Sequence, residues 1–266
     1  MKELNLIRNY YTPIQPSVKS ISNVSYKEIT PNPALKNYIH CFWYLKTKNR
    51  LNKPFSYRVV SDGCIDIFFN LNNTEENFIM GFCKGFKEFS IAYEFSYIGI
   101  RFYPSIFPFL FKTAAKNISD LDTSLSNITP EFSSFISLLR NNDLINTIKE
   151  LEDYIFSIIK ASKTSIDLRF FNAFIAILRA NGNIATDSGL NTGLGPRQLR
   201  RLFNYYIGTT PKSFCLVVRF QYVLNQLLNS KTPKNHFFLD VGFYDQAHFI
   251  KNFTQFYGIS PMKALL

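Results

Sequence analysis

The chain has 266 residues, 46% hydrophobic and 18% charged, with a formal net charge of +11. That length fits one large domain or two modest ones, and that apolar content excludes a disordered or low-complexity chain. The positive charge favours a polyanionic partner and is uneven: residues 1–159 carry 17 Lys and Arg against 15 Asp and Glu, residues 160–266 carry 13 against 4.

A strongly basic segment beside a near-neutral one reads as a nucleic-acid-binding module attached to something else. Other classes fall away. Met1 to Asn5 does not begin a charged-then-apolar signal segment, and the most apolar stretch, Tyr97 to Phe111, is interrupted by Arg101, Pro104 and Pro108. A cytoplasmic protein with no membrane partner is expected. Cys41, Cys64, Cys83 and Cys215 form no Cys-x-x-Cys pair and read as reduced, mostly buried thiols. His40, His236 and His248 are the only histidines, so no metal and no cofactor are expected.

From about Tyr26 to Tyr103 the chain reads as short strands: His40–Leu45, Phe55–Val60, Ile65–Phe69, Phe78–Phe82 and Ile98–Phe102. Ser61-Asp62-Gly63 and Leu71-Asn72-Asn73-Thr74 are turn signals between them. Close spacing of short strands predicts an antiparallel barrel or sandwich, its aromatic side chains lining a cavity or filling a core. Asp62 and Asp66 pair two carboxylates, read as structural. With no Gly-x-Ser-x-Gly and no phosphate-cradling glycine loop, no enzyme is expected.

From about Pro130 the apolar period becomes helical. Two amphipathic helices over about 131–160 are separated by Asn141-Asn142-Asp143. The stripe of Leu144, Ile148, Leu151, Ile155 and Ile158 suits either a second copy of the chain or the chain's own core, which leaves a homodimer open. Ala161–Ser165 is the candidate linker. Beyond it, helices are predicted at Ile166–Ala180, Ala185–Asn191, from Pro196, at Pro211–Asn229, and again after Asp245, which is placed to cap the last. The fold class is α+β: an N-terminal antiparallel β barrel or sandwich (1–125), a helical hairpin and linker (126–162) and an all-α C-terminal domain (163–266).

Leu199, Leu202 and Phe203 make an inward stripe that leaves Arg197, Gln198, Arg200, Arg201 and Asn204 outside or flanking. Cations at a helix N-terminus oppose its dipole, so a groove of phosphate and guanine acceptors would explain them better than the helix's own stability does. Residues 200–211 also match residues 250–261 at a 50-residue period. Gly208 aligns with Gly258, Pro211 with Pro261, Phe203 with Phe253 and Arg201 with Lys251. That period fits two helix-turn-helix units joined by one long helix.

Gly242-Phe243-Tyr244-Asp245-Gln246-Ala247-His248-Phe249, closing in Gly258-Ile259-Ser260-Pro261, resembles the C-terminal signature of AraC/XylS-type transcription regulators. Pro196–Phe203 resembles that family's first recognition helix. Arg58–Asp66 and Gly99–Pro104 resemble an uncharacterised N-terminal module found on some members. The resemblance implies a sequence-specific regulator of double-stranded DNA that lays two recognition helices, Pro196–Tyr206 and Gln246–Tyr257, into successive major-groove segments. Arg197, Gln198, Arg200, Arg201 and Asn204 would lie at the first. Gln246, Ala247, His248 and Lys251 would lie at the second, Lys251 on a phosphate. RNA polymerase and an unidentified small-molecule effector are partners of the same implication. Arg219 stands where the family carries an Arg, and both a phosphate contact and an intradomain ion pair are open to it. Two departures stand out: Ser188 and Gly189 occupy positions where the family has Leu and a small residue, usually Ala, and Phe238 replaces Ala in the second unit. The rival reading is a small-molecule-binding barrel with an accessory, non-specific DNA-binding domain.

Overall fold

The computed structural model describes residues 2–16, 23–139, 143–162, 165–186, 190, 192–229 and 237–265. In chain order the elements are α1 (Asn5–Tyr10), β1 (Val24–Ile29), β2 (Ile39–Thr47), β3 (Phe55–Val59), β4 (Ile65–Asn70), β5 (Asn73–Met80), β6 (Lys87–Ile91), β7 (Ser96–Phe102), α2 (Ile106–Phe111) and β8 (Asp122–Ser124). The helices α3 (Pro130–Leu138), α4 (Leu144–Ala161), α5 (Leu168–Arg179), α6 (Pro196–Tyr206), α7 (Pro211–Asn229), α8 (Phe237–Asp240), α9 (Gln246–Tyr257) and α10 (Pro261–Leu265) follow. The expected helix at Ala185–Asn191, with Ser188 and Gly189, falls largely outside the described residues, as do His236 and part of the linker.

The strands pair antiparallel in the order β1-β2-β7-β4-β5-β8, and β3 pairs only with β6. The barrel alternative is therefore corrected. The six-stranded sheet stays open at β1 and β8, and the β3–β6 ribbon covers part of one face. Alternation sorts the side chains. Phe42, Ile67, Phe69, Ile98, Ile100 and Phe102 enter the main core, which continues without a break into the helices. Trp43, Leu45 and Met80 face the ribbon in a smaller cluster with Tyr57 and Val59. Glycine is required at position 99, where a Cβ would come within 2.1 Å of the Trp43 indole on the neighbouring strand.

Arg101 is 1% exposed beneath this second face. Its Nε and Nη2 donate to Asp66 at 3.1 and 2.9 Å, and its Nη1 to Glu28 at 3.4 Å. Asp62 lies 3.4 Å from its Nε. The Trp43 indole N–H also donates to Asp66. Burial pushes the Asp66 carboxyl up to about 6, against the pull of Arg101. Asp62 is fastened in turn by the Gln15 amide at 2.8 Å and caps the turn by accepting from the Cys64 N–H.

In the helical hairpin, the apolar stripe of α4 packs within its own chain. Leu151 and Ile155 are fully buried, and Leu144, Ile148 and Ile158 lie against the core. Tyr154 stacks on Phe132 and Phe135 of α3 at 4.7 and 4.2 Å. Of the two coverings the sequence leaves open for the stripe, the structure shows the chain's own core. Among the described residues no helix is long and apolar enough to cross a membrane.

Two stability predictions follow from the buried charges. Arg101→Met strands buried carboxylates and should cost about 3–5 kcal/mol in denaturant unfolding. His40 is held down to about 4 by burial, helped by the Arg101 charge. A histidine lowered on folding binds fewer protons folded than unfolded between its two values, so its contribution weakens as pH falls from about 6.5 towards 4. Between pH 7 and pH 5 wild type should lose about 2 kcal/mol more than His40→Gln. Asp66, raised on folding, acts in the opposite direction and equally in both proteins. Equal losses in the two proteins would contradict the buried, neutral assignment of His40.

Candidate nucleic-acid interface

The first of the two expected recognition helices, α6, begins with Gly195 in extended conformation and Pro196 in the first turn, without a side-chain cap or an acidic residue there. Leu199 and Phe203 are buried, and Phe203 sits edge-on to Phe170 of α5 at 5.1 Å. Arg197, Gln198, Arg200 and Arg201 are exposed and Asn204 is half-buried. None of the ion pairs among the described residues uses these arginines. Three cations thus crowd the N-terminal part of a helix with no ion-pair partner among the described residues.

The second, α9, is capped as the sequence predicts: the Asp245 carboxylate accepts from the His248 N–H at 2.7 Å. Phe249, Phe253 and Phe256 are buried, and Phe238 stacks on Phe249 at 5.7 Å. Gln246, Ala247 and Lys251 are exposed. His248 is half-buried. Its Nδ1 accepts from the Tyr244 N–H at 3.3 Å, and its ring meets Phe243 edge-on at 5.5 Å, which leaves Nε2 as the outward donor. Asn252 is buried and donates to the His248 carbonyl at 3.0 Å.

Between them α7 runs 19 residues, about 28 Å at the α-helical rise. Arg219, on α7, enters none of the ion pairs among the described residues. Its Nη1 and Nη2 donate to the carbonyls of Gly242 and Gly182 at 2.7 and 2.8 Å, and its guanidinium lies over Phe243. It clips the loop after α5 to the turn before α9, setting one unit against the other.

The N-terminal region grips both units at equivalent places. Ser119 Oγ donates to the Gly208 carbonyl at 2.6 Å, after α6. At the end of α9, the Phe86 N–H donates to the Gln255 carbonyl, the Gln255 amide donates to the Lys84 carbonyl, and the Ser61 N–H donates to the Phe256 carbonyl. Gly208 and Gly258 both take positive φ, and a Cβ would meet Ser119 Oγ at 2.2 Å in one case and the Phe86 ring at 2.9 Å in the other. On the first side this brings Lys116, exposed, into one groove with Arg197, Arg200, Arg201, Asn204 and Tyr205. Sequence reading missed Lys116 because only a contact between residues 119 and 208 places it there.

Elsewhere, Glu28, His40 and Cys41 each bring a ligand atom to within 4.8 Å of the others. Glu28 is already taken by Arg101, whose charge opposes a second cation, and burial drives the Cys41 thiol upwards, away from the thiolate a metal requires.

Residues 191–265 match the family described as helix-turn-helix domain, and residues 27–124 match a domain of unknown function, DUF6597. Two solved structures align weakly. An apo variant of ToxT from Vibrio cholerae strain SCE256 is 9% identical, with 91% of this chain and 96% of that one covered and a TM-score of 0.36. ToxT from Vibrio cholerae O395 is 12% identical, with 91% and 95% covered and a TM-score of 0.34. Scores this low establish no shared fold. No curated protein matches the chain.

If Arg219 sets the spacing of the two units, Arg219→Met should weaken binding to a selected duplex by about tenfold or more, roughly 1.4 kcal/mol, because its two carbonyl contacts are lost. Unchanged affinity would mean that packing of α7 alone fixes the units.

Proposed function

We propose that this chain, a DNA-binding transcription regulator of the AraC type with a distinct N-terminal module, reads two successive major-groove segments on one face of the duplex. In this reading α6 offers Arg197, Gln198, Arg200, Arg201 and Asn204 to the first segment, and α9 offers Gln246, Ala247, His248 and Lys251 to the second. Arginine forks suit guanine O6 and N7, and Gln246 suits adenine. The carrying observation is the uncompensated arginine cluster on the exposed N-terminal end of α6. Among the described residues no acidic side chain offsets its intrahelical cost, which an anionic partner would.

Residues 163–266 are assigned to DNA, residues 126–162 to the connection and residues 1–125 to control. Because α6 and α9 are both held by the N-terminal region, control needs no second copy of the chain. It requires only that these grips change. Lys116 is assigned a phosphate beside the first recognition helix.

The test is selection of duplexes by the full-length protein, followed by binding to the selected sequence over a range of salt. Neutralisation of about six phosphates gives a log–log slope near −5, and a flat response from 50 to 200 mM would contradict the reading. Arg197→Ala and Arg201→Ala should each cost about 1–3 kcal/mol and relax preference at particular base pairs. Lys251→Ala and Lys116→Ala should weaken all duplexes alike and each make the slope shallower by about one. Equal losses on all sequences for the arginine variants would reassign them to phosphates.

A further inference from the structure

The N-terminal module holds a cavity that DNA reading does not use. Some 240 Å³ lies between the six-stranded sheet and the β3–β6 ribbon. Strand register explains its lining. Trp43, Gly99, Phe68 and Phe78 stand in one row across β2, β7, β4 and β5. The next row, across β7, β4, β5 and β8, is Arg101, Asp66, Met80 and Asp122. Tyr57 and Phe89 close the space from the ribbon.

The charges lining this space have one sign. Among the described residues, Asp66 and Asp122 are the charged ones that reach it, and no Lys, Arg or His does. Arg101 sits behind Asp66 with its donors directed to Asp66 and Glu28. A carboxylate ligand would therefore meet aromatic faces and acidic groups with no cation free to receive it. A neutral ligand would gain the apolar walls and nothing from Asp122. A ligand with both an apolar body and a positive head gains the walls, the negative faces of the rings and the carboxylate at the rim.

We propose that this cavity binds a hydrophobic organic cation, an amine or ammonium carrying an aromatic or branched apolar group, and that the β3–β6 ribbon relays its occupancy to the second helix-turn-helix unit. The relay rests on the regulator reading above; the binding site does not. The ribbon has two roles built into one piece of chain. Tyr57, Val59, Phe89 and Ile91 form the cavity's cover. The segment leading into β6 holds the end of α9, through the Phe86 N–H to the Gln255 carbonyl at 3.1 Å and the Lys84 carbonyl to the Gln255 amide at 3.1 Å. A ligand that spreads the two sheets moves the ribbon, and the ribbon cannot move without altering the grip on α9. A ligand favouring one position of the ribbon thereby shifts the affinity for DNA, and DNA shifts the affinity for the ligand by the same factor.

Trp43 is the chain's single tryptophan and lies in the cavity wall, so intrinsic fluorescence of the full-length protein reports occupancy directly. Three probes share one skeleton: 2-phenylethylammonium, 2-phenylethanol and phenylacetate. The ammonium should give a saturable change, bind about tenfold tighter than the alcohol, and leave phenylacetate without one. Asp122→Asn, at an exposed edge position, should weaken the ammonium by about threefold and leave the alcohol unaltered. Phenylacetate or the alcohol binding as tightly as the ammonium, or no saturation by the ammonium up to its solubility limit, would overturn the site. The ammonium should also change the affinity for the selected duplex. Saturable binding with unchanged duplex affinity would overturn the relay. A protein that selects no duplex would instead fail the regulator reading, with the fluorescence titration still deciding the site.

Discussion

A buried guanidinium organises this molecule. Arg101 loses almost all of its water, and an ion so desolvated costs several kcal/mol unless carboxylates meet it. Asp66 does so from the adjacent strand and Asp62 from the turn that precedes it. Holding Asp62 fixes the Ser61–Gly63 turn, and that turn is where the sheet meets the DNA-binding half. The Ser61 N–H donates to Phe256 of α9, and its carbonyl accepts from Gln221 of α7 at 2.8 Å. Tyr11 donates to the Asp62 carbonyl, and Gly63, at positive φ, faces the Phe214 ring. Charge compensation inside the sheet and placement of the recognition helices therefore depend on the same three residues.

The two units of the repeat divide their labour unequally. The first carries the electrostatics: an uncapped helix start, three arginines and the neighbouring Lys116. The second is capped by Asp245 and presents Gln246, Ala247 and a His248 partly fastened to its own turn. In the proposed reading the first anchors the protein on phosphates and guanines, and the second discriminates by shape and by neutral contacts. Arg219 relates the two, which explains why the long helix keeps a cation in a half-buried place.

The recognition helices were legible because their signals are local. Pro196 and Pro211 open helices, Gly208 and Gly258 close them, and the Leu199/Phe203 and Phe249/Phe253/Phe256 stripes keep the helical period. The strands β2, β3, β4 and β7 were legible from their aromatic and β-branched runs. β1 was not, because its mixed side chains show no clear alternation; nor was β6, whose alternation is carried by only Phe89 and Ile91 beside Lys87, Glu88 and Ser90; nor was α2, which carries Pro108 within it. Period two marks a strand but not its partner, which is why the open sheet could not be told from a barrel. Lys116, the buried Asn252 and the clip made by Arg219 all depend on contacts that local spacing does not reveal. The stripe of α4 looked equally fit for a second copy because an amphipathic face reads the same whatever covers it.

The central claim is that two helices, held one DNA turn apart by α7 and by the N-terminal module, read one face of the duplex. Phosphate-ethylation interference with the full-length protein on its selected duplex tests this most directly. The account predicts two clusters of interfering phosphates on one face, about 10 base pairs apart. A single cluster, or interference spread around the helix without that period, would contradict it.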